Sequence, residues 1–190
     1  MMLEELIQFD TDLFLFLNGL GSPTWDSFWL IVTNKLSAIP LYLVLLLLSF
    51  NQLGLKKTIV LLIAIALLIT VTDQLTNFFK YGVQRYRPCH DENVGHLMRL
   101  VKSSCGGKFG YFSAHAANSF AIASFFFLFL KNRIKYFGFF LLIWALFVAY
   151  SRIYIGVHFP LDVLTGIFIG SFFGWLFFKL FIFTALKIKA

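Results

Sequence analysis

Long apolar runs separated by short polar segments dominate the sequence and predict a bundle of membrane-spanning helices. The predicted spans cover residues 26–50, 58–79, 114–130, 136–150 and 161–183. Each run is close to the roughly 20 residues that a helix needs to cross a bilayer. Asn34, Lys35 and Pro40 interrupt the first run, so we expect a kink or a polar inward face there.

The segment before the first span has a different pattern. Residues 3–20 carry apolar side chains at roughly helical spacing, with acidic and amide side chains between them. This pattern predicts an amphipathic helix that lies in the membrane interface and ends near Gly19. Trp25 and Trp29 are typical of interfacial anchors at the start of a span.

Composition supports the membrane class and excludes an ordinary soluble domain. Of the 190 residues, 59% are hydrophobic and only 13% are charged, far from the averages of soluble proteins. We therefore predict an all-α integral membrane protein with five transmembrane helices, or six if residues 3–20 also cross. Residues 1–24 would form the interfacial segment and residues 25–190 the transmembrane catalytic domain.

The positions of the charges predict the orientation. The net charge is +7, but the basic residues lie between apolar runs, which favours topology and anionic ligands over nucleic acid. Residues 51–57, residues 131–135 and the C-terminal tail carry basic residues and no acid. The basic residues are Lys56, Lys57, Lys131, Arg133, Lys135, Lys187 and Lys189. Short basic loops stay in the cytoplasm. Residues 80–113 and 151–162 should then share the extracytoplasmic face of a cytoplasmic (inner) membrane.

The segment from Ser151 to Asp162 places several polar side chains in the predicted break between two spans. Ionisable groups at a membrane are costly and are functional candidates. Pro160 suits the first turn of a helix, which puts His158 just before that helix and Asp162 in its opening turn. Asp162 could accept from one imidazole nitrogen and leave the other free to attack, while Arg152 offers a planar fork to phosphate oxygens. The alternative is a snorkelling arginine beside an ordinary Asp–His pair at a helix start.

Two further segments belong to the same predicted face. Lys80 ends the second span and Arg87 follows it in the run KYGVQRYRP. Ser113 is a predicted N-cap of the third span, with its hydroxyl accepting from a first-turn amide. The free N–H groups of Ala114 and His115 would then form an anion site with the helix dipole. Cations, a helix N-terminus and two histidines together predict a phosphoryl-transfer site that needs no metal or other cofactor.

Three linked motifs carry a family resemblance. They are Lys80–x6–Arg87-Pro88, then Ser113-x-His115, then Ser151-Arg152–x5–His158–x3–Asp162. In order and spacing they resemble the signature of the type 2 phosphatidic acid phosphatase (PAP2) superfamily, which includes membrane lipid phosphatases and is related to vanadium haloperoxidases. The middle motif reads Phe-Ser-Ala-His here, whereas the family usually has Pro-Ser-Gly-His.

The resemblance implies a role for each matched residue. His158 would be the nucleophile that forms a phosphohistidine, Asp162 would orient it, and His115 would protonate the leaving oxygen. The residues implied to hold the phosphate are Lys80, Arg87, Ser113, Ala114 and Arg152. No metal is implied.

The expected partners are the bilayer and a membrane lipid phosphate, and the oligomeric state stays open. The candidate substrates are undecaprenyl pyrophosphate, phosphatidic acid, phosphatidylglycerophosphate and lipid A phosphates. The rival functions are a lipid phosphotransferase that uses the same phosphoenzyme, and a non-catalytic lipid-phosphate binder or transporter. Cys89 and Cys105 lie in the outer loop, where a disulfide is permitted; two free thiols are the alternative.

Overall fold

A computed structural model describes residues 2–134 and 136–188. The six α-helices are α1 (Met2–Gly19), α2 (Pro23–Thr33), α3 (Ile39–Val83), α4 (Ala114–Leu130), α5 (Phe137–Tyr154) and α6 (Pro160–Lys187). Short 3-10 helices cover Lys35–Ala38 and Pro88–His90. An isolated bridge between Tyr86 and Phe109 is the only β pairing among the described residues, so the predicted all-α class is confirmed.

Three segments are long and apolar enough to cross a membrane: Lys35–Val83, Phe137–Tyr154 and Pro160–Lys187. Helix α4 is equally apolar but has 17 residues, one fewer than the shortest of these three segments. These helices make the chain an integral membrane protein. The count of five spans stays a prediction, as does the division at residue 24.

Helix α3 is interrupted at Gly54, which has φ 69° and ψ 177°. A positive φ of this kind is readily adopted only by glycine. Ala38 and Asp73 line the same cavity, although a continuous helix would separate them by about 50 Å. The chain therefore folds back at Gly54, between the first and second predicted spans.

Two predicted details of the spans can be compared with the helices. The predicted interruption of the first span is confirmed, because Asn34 is extended and Lys35–Ala38 form a 3-10 helix between α2 and α3. The predicted end of the fourth span is wrong, because α5 continues to Tyr154. Ser151 and Arg152 therefore lie on a helix, and the break spans only 155–159. The buried packing of this last turn of α5 stabilises it despite its polar residues.

Helix α4 forms the centre of the bundle and packs against α6 at backbone distance. Gly166, Gly170 and Gly174 follow one another at intervals of four residues along α6. A Cβ at Gly170 would lie 2.1 Å from the Ala117 carbonyl oxygen of α4, and one at Gly174 would lie 2.4 Å from that of Ala121. Small residues at such intervals let membrane helices approach closely. The two helices run parallel, so their N-termini lie side by side.

Helix α1 packs one of its faces into the protein. Asp10, Phe14 and Asn18, spaced four residues apart, are each at most 1% exposed, whereas Leu3 and Phe9 are largely exposed. The Asn18 side chain donates to the Ile153 and Tyr154 carbonyls at the end of α5. The predicted helix is present, but its buried face carries the polar side chains of Asp10 and Asn18, and its position in the membrane interface stays a prediction. Lys135 and Lys189, which enter the charge argument for orientation, lie outside the described residues.

Candidate active site

The N-termini of α4 and α6 meet and define the floor of the candidate site. The Ser113 backbone N–H donates to the Asp162 carbonyl at 2.9 Å, which joins the two helix starts directly. Each N-terminus carries a partial positive charge and free N–H groups. Because the helices are parallel, these two positive ends add, and the arrangement favours an anion between them.

His158 lies in the turn before α6 and is only 2% exposed. Its Nδ1 is 3.5 Å from Asp162 Oδ2, which is longer than a hydrogen bond. Asp162 Oδ2 instead accepts from the Phe159 backbone N–H at 3.1 Å, as a carboxylate in the first turn of a helix commonly does. The expected Asp162–His158 pair is therefore adjacent but not hydrogen-bonded, because helix capping engages this carboxylate oxygen.

The charges of three cations act on His158. Burial, followed by the charges of Arg152, Arg87 and Lys80, holds the pKa of His158 well below its usual value. Both causes disfavour the imidazolium form. A neutral imidazole keeps a lone pair for attack on an electrophile, and the same cations would attract an anionic one.

The two arginines of the predicted phosphate site are held differently. Arg87 donates from Nη1 to the Cys105 carbonyl at 3.0 Å and from Nε to the Phe109 carbonyl at 3.3 Å. Arg152 is buried and donates from Nη1 to Thr33 Oγ1. Both guanidinium groups are thereby fixed in orientation, and each has N–H groups left to donate.

Three buried polar atoms at this point make no hydrogen bond to the described residues: Ser113 Oγ, Arg152 Nε and His158 Nδ1. Ser113 is the N-cap of α4 as predicted, but its hydroxyl does not bond a first-turn amide, which corrects that detail. Buried polar groups without partners are rare and need an explanation. The Ser113 hydroxyl and Arg152 Nε, two donors beside the helix N-termini, fit a phosphate group, whereas His158 Nδ1 faces Asp162 Oδ2.

His115 lies in the first turn of α4 and lines a cavity of about 850 Å³. Ala114, Asn118 and Ser119 of the same helix line it too. The rest of the wall is mostly apolar and comes from α2, α3 and α5. The cavity therefore begins at His115 and continues into the membrane region. Its volume lies within the range of small-molecule binding pockets.

Sequence reasoning missed a network behind Asp162. Arg85 donates from Nη1 to Asp162 Oδ1 at 2.9 Å and also pairs with Asp10 of α1. Asp10 accepts in addition from the Leu161 N–H at 2.8 Å. The spacing of Asp10 with Phe14 and Asn18 on one face of α1 was the available signal that Asp10 is buried.

For Lys102 the sequence leaves two interpretations open, contact with a lipid headgroup or a second phosphate, and simple interface charge. Partial burial and the charges of Arg152 and Arg87 lower the pKa of Lys102. The loop between α3 and α4 therefore brings a further cation close to the two arginines, although Lys102 itself remains exposed.

A disulfide between Cys89 and Cys105 closes the loop between α3 and α4. The Cys105 carbonyl is the acceptor that holds Arg87, so the bridge lies directly beside the candidate site. His90 is also close to both cysteines. Because the two sulfur atoms are bonded to each other, they offer no thiolate to a metal ion.

The comparisons with known proteins identify the family. A model of the PAP2 superfamily matches residues 57–184, and the chain belongs to this superfamily. It is a membrane lipid phosphatase. Among curated relatives, the lipid A 4'-phosphatase of Bacteroides thetaiotaomicron is 40% identical over 93% of this chain and 79% of its own length. That of Porphyromonas gingivalis is 30% identical over 95% of this chain and 76% of its own length.

Two crystal structures share the fold. LpxE of Aquifex aeolicus is 27% identical, with a TM-score of 0.65, and covers 88% of this chain and 93% of its own. A transmembrane PAP2-type phosphatidylglycerolphosphate phosphatase from Bacillus subtilis has a TM-score of 0.70 at 22% identity, covering 97% of this chain and 88% of its own. The second likeness concerns the fold alone.

Proposed function

We propose that this protein removes a phosphate from a lipid of the lipid A type, at the extracytoplasmic face, through a phosphohistidine and without a metal. The observation that carries this proposal is the buried His158 beside the joined N-termini of α4 and α6. His115, in the first turn of α4, lines the mostly apolar cavity that begins there. The similarity to two lipid A 4'-phosphatases along nearly the whole chain supports the lipid class.

In the first step, the free ring nitrogen of neutral His158 attacks phosphorus, and a P–N bond forms as the P–O bond to the lipid breaks. Ser113 Oγ, Arg152 Nε and the N–H groups of Ala114 and His115 donate to the phosphoryl oxygens, with Lys80 and Arg87 adding positive charge. His115, protonated when the anionic phosphate group is bound beside it, gives this proton to the departing lipid oxygen. The Nδ1 proton of the new imidazolium then points at Asp162, 3.5 Å away.

In the second step, water attacks phosphorus and the P–N bond breaks. His115, which lost its proton in the first step, accepts one from this water. His158 leaves as a neutral imidazole and inorganic phosphate is released. If a lipid hydroxyl replaced the water, the same intermediate would give a phosphotransferase.

The orientation follows from charge. The end of the bundle away from the site carries Lys56, Lys57, Lys131, Arg133 and Lys187, which favours the cytoplasmic side. The site would then face the periplasm of a cytoplasmic membrane. An accessibility assay with membrane-impermeant reagents on cysteines introduced at each end would test this assignment.

The decisive experiment measures phosphate release by the purified protein in detergent, with a chelator present, from lipid A, phosphatidic acid, phosphatidylglycerophosphate and undecaprenyl pyrophosphate. We expect release from lipid A that survives the chelator and falls by at least about 10³-fold in His158→Ala. The exposed loop residue His96 supplies the matched control, His96→Ala. Labelled phosphate transferred to lipid rather than to water would favour the phosphotransferase. Absence of release from all four lipids would refute the proposal.

A further inference from the structure

Among the polar side chains in the cavity wall that the proposed mechanism does not use, Asp73 is the one carboxylate in the described lining. Asp73 of α3 lines the cavity, and its Oδ1 accepts from Asn118 Nδ2 of α4 at 2.8 Å. Asn118 Oδ1 in turn accepts from the buried Thr72 hydroxyl at 2.6 Å. Both ends of the Asn118 amide are thus engaged, which fixes its orientation and that of the Asp73 carboxyl group.

The second carboxyl oxygen of Asp73 accepts no hydrogen bond from any described residue. Asp73 is half-buried among apolar side chains, where polar groups are unfavourable unless they are satisfied. A carboxyl oxygen held by an amide on one side and open to a cavity on the other is suited to accept a hydrogen bond from a ligand.

The depth of Asp73 indicates which part of a lipid would reach it. Asp73 precedes Lys80 by seven residues on α3, which corresponds to about 10 Å along the helix axis. Asn118 follows His115 by three residues on α4. With the phosphate between Lys80 and His115, Asp73 therefore lies beside the linkage between the headgroup and its acyl chain.

Lipids differ in the hydrogen-bonding groups that they carry at this linkage. Glycerol diesters offer only ester oxygens, which are acceptors and would face an acceptor oxygen of Asp73. N-acylated sugars offer an amide N–H, and 3-hydroxyacyl chains offer a hydroxyl, both of which are donors. A buried acceptor left without its donor is penalised, and this penalty gives enzymes strong discrimination.

We infer that Asp73, oriented by Asn118, is a specificity-determining residue that accepts a hydrogen bond from an amide N–H or hydroxyl at the acyl linkage of the substrate. This inference rests on the proposed function and narrows its substrate class to lipids with such donors. Asp73 selects N-acylated or hydroxyacylated phospholipids over plain glycerol diesters.

The first test needs no variant. It compares kcat/KM for phosphate release by the wild type from a phosphorylated N-acyl glucosamine lipid and from its O-acyl isostere, which lacks only the amide N–H. A third substrate, the O-acyl lipid with a 3-hydroxyl on its chain, distinguishes the two sources of a donor. We expect kcat/KM to fall about 10- to 100-fold when both donors are absent. Equal values for all three lipids would overturn the inference.

The second test uses Asp73→Asn, which keeps the shape but can present an N–H group to the ligand, and phosphatidic acid as a diester substrate. We expect lower kcat/KM on the N-acyl lipid and an unchanged or higher value on phosphatidic acid, because an ester oxygen can accept from the new amide. Asp12→Asn, on the exposed face of α1, is the matched control. An equal fall in kcat/KM on both lipids would overturn the inference, because Asp73 would then act only on helix packing or on the position of Lys80. A wild type that releases phosphate from no lipid would refute the proposed function itself.

Discussion

Helix α4 has two contrasting sides. Toward α6 it is packed at backbone distance, with glycines where any side chain would collide with its carbonyl oxygens. Toward α2, α3 and α5 it faces a cavity of about 850 Å³. The close side joins the starts of α4 and α6, and so holds Ser113 beside Asp162 and the nearby His158. The difference indicates that one helix serves both needs of the site: fixed positions for the chemistry and open space for a lipid.

The largest effect should come from a substitution that separates α6 from α4. Gly170→Ala places a Cβ against the Ala117 carbonyl oxygen, so α6 must move away from α4. We expect a loss of about 1–3 kcal/mol in stability and a fall of about 100-fold in kcat, since small displacements of reacting groups are costly. Thermal unfolding in detergent and phosphate release measure these two quantities.

The matched control for this prediction is Gly82→Ala. Gly82 is also helical, but a Cβ there meets no atom within 4 Å. Because alanine is the better helix former, this variant should be as stable as the wild type or slightly more so. Equal behaviour of the two variants would show that the contact between α4 and α6 does not position the site.

The next largest effect should come from removing the contact by which Asp10 of α1 holds Arg85. Asp10→Asn removes the charge that Asp10 shares with Arg85, which also holds Asp162. We expect kcat to fall about 10-fold with little change in KM, since the phosphate ligands stay in place while Asp162 loses its fixed position. Asp12→Asn, two residues along on the exposed face, is the control. An unchanged kcat would show that α1 does not contribute to positioning.

The sequence was sufficient to predict the motif residues, but not the distant residues that hold them in position. The motif spacing placed Ser113, His158 and Asp162 near one another, because the starts of α4 and α6 can be inferred from Ser113 and Pro160. The pairing of Asp10 with Arg85 joins residues 75 positions apart, and only the tertiary arrangement determines such a contact. The last turn of α5 was missed for a related reason, since polar residues such as Arg152 resemble a loop until their buried partners are known.

A smaller effect should follow from filling the cavity between α4 and helices α2, α3 and α5. Ile65→Trp inserts a large ring into the cavity wall, where it competes with the acyl part of the substrate. We expect KM for the lipid to rise several-fold, with hydrolysis of a short-chain phosphate ester unchanged, because only the long chain occupies that space. Ile63→Trp, on an exposed face of α3 and absent from the cavity wall, is the control. A similar loss on both substrates would place the lipid elsewhere.

The smallest effect is the pH dependence that His158 gives to the stability of the protein. His158 is neutral in the folded protein because its pKa lies well below the usual value, whereas in the unfolded chain it titrates near pH 6.5. Unfolding therefore takes up a proton at low pH, and the stability that depends on a neutral His158 is complete above pH 6.5 and lost as the pH falls below it. At pH 5.5 the loss should reach about 1.4 kcal/mol relative to pH 7.5.

This prediction is checked by thermal unfolding of the wild type and His158→Gln at both pH values. The unfolding midpoint of the wild type should fall further on acidification, because glutamine does not titrate. His96→Gln removes an exposed histidine, so its midpoint should fall as far as that of the wild type. Equal shifts in all three proteins would mean that His158 binds a proton in the folded state near neutral pH. In that case the nucleophile would need deprotonation before each turnover, and the three cations around it would be less effective than their positions indicate.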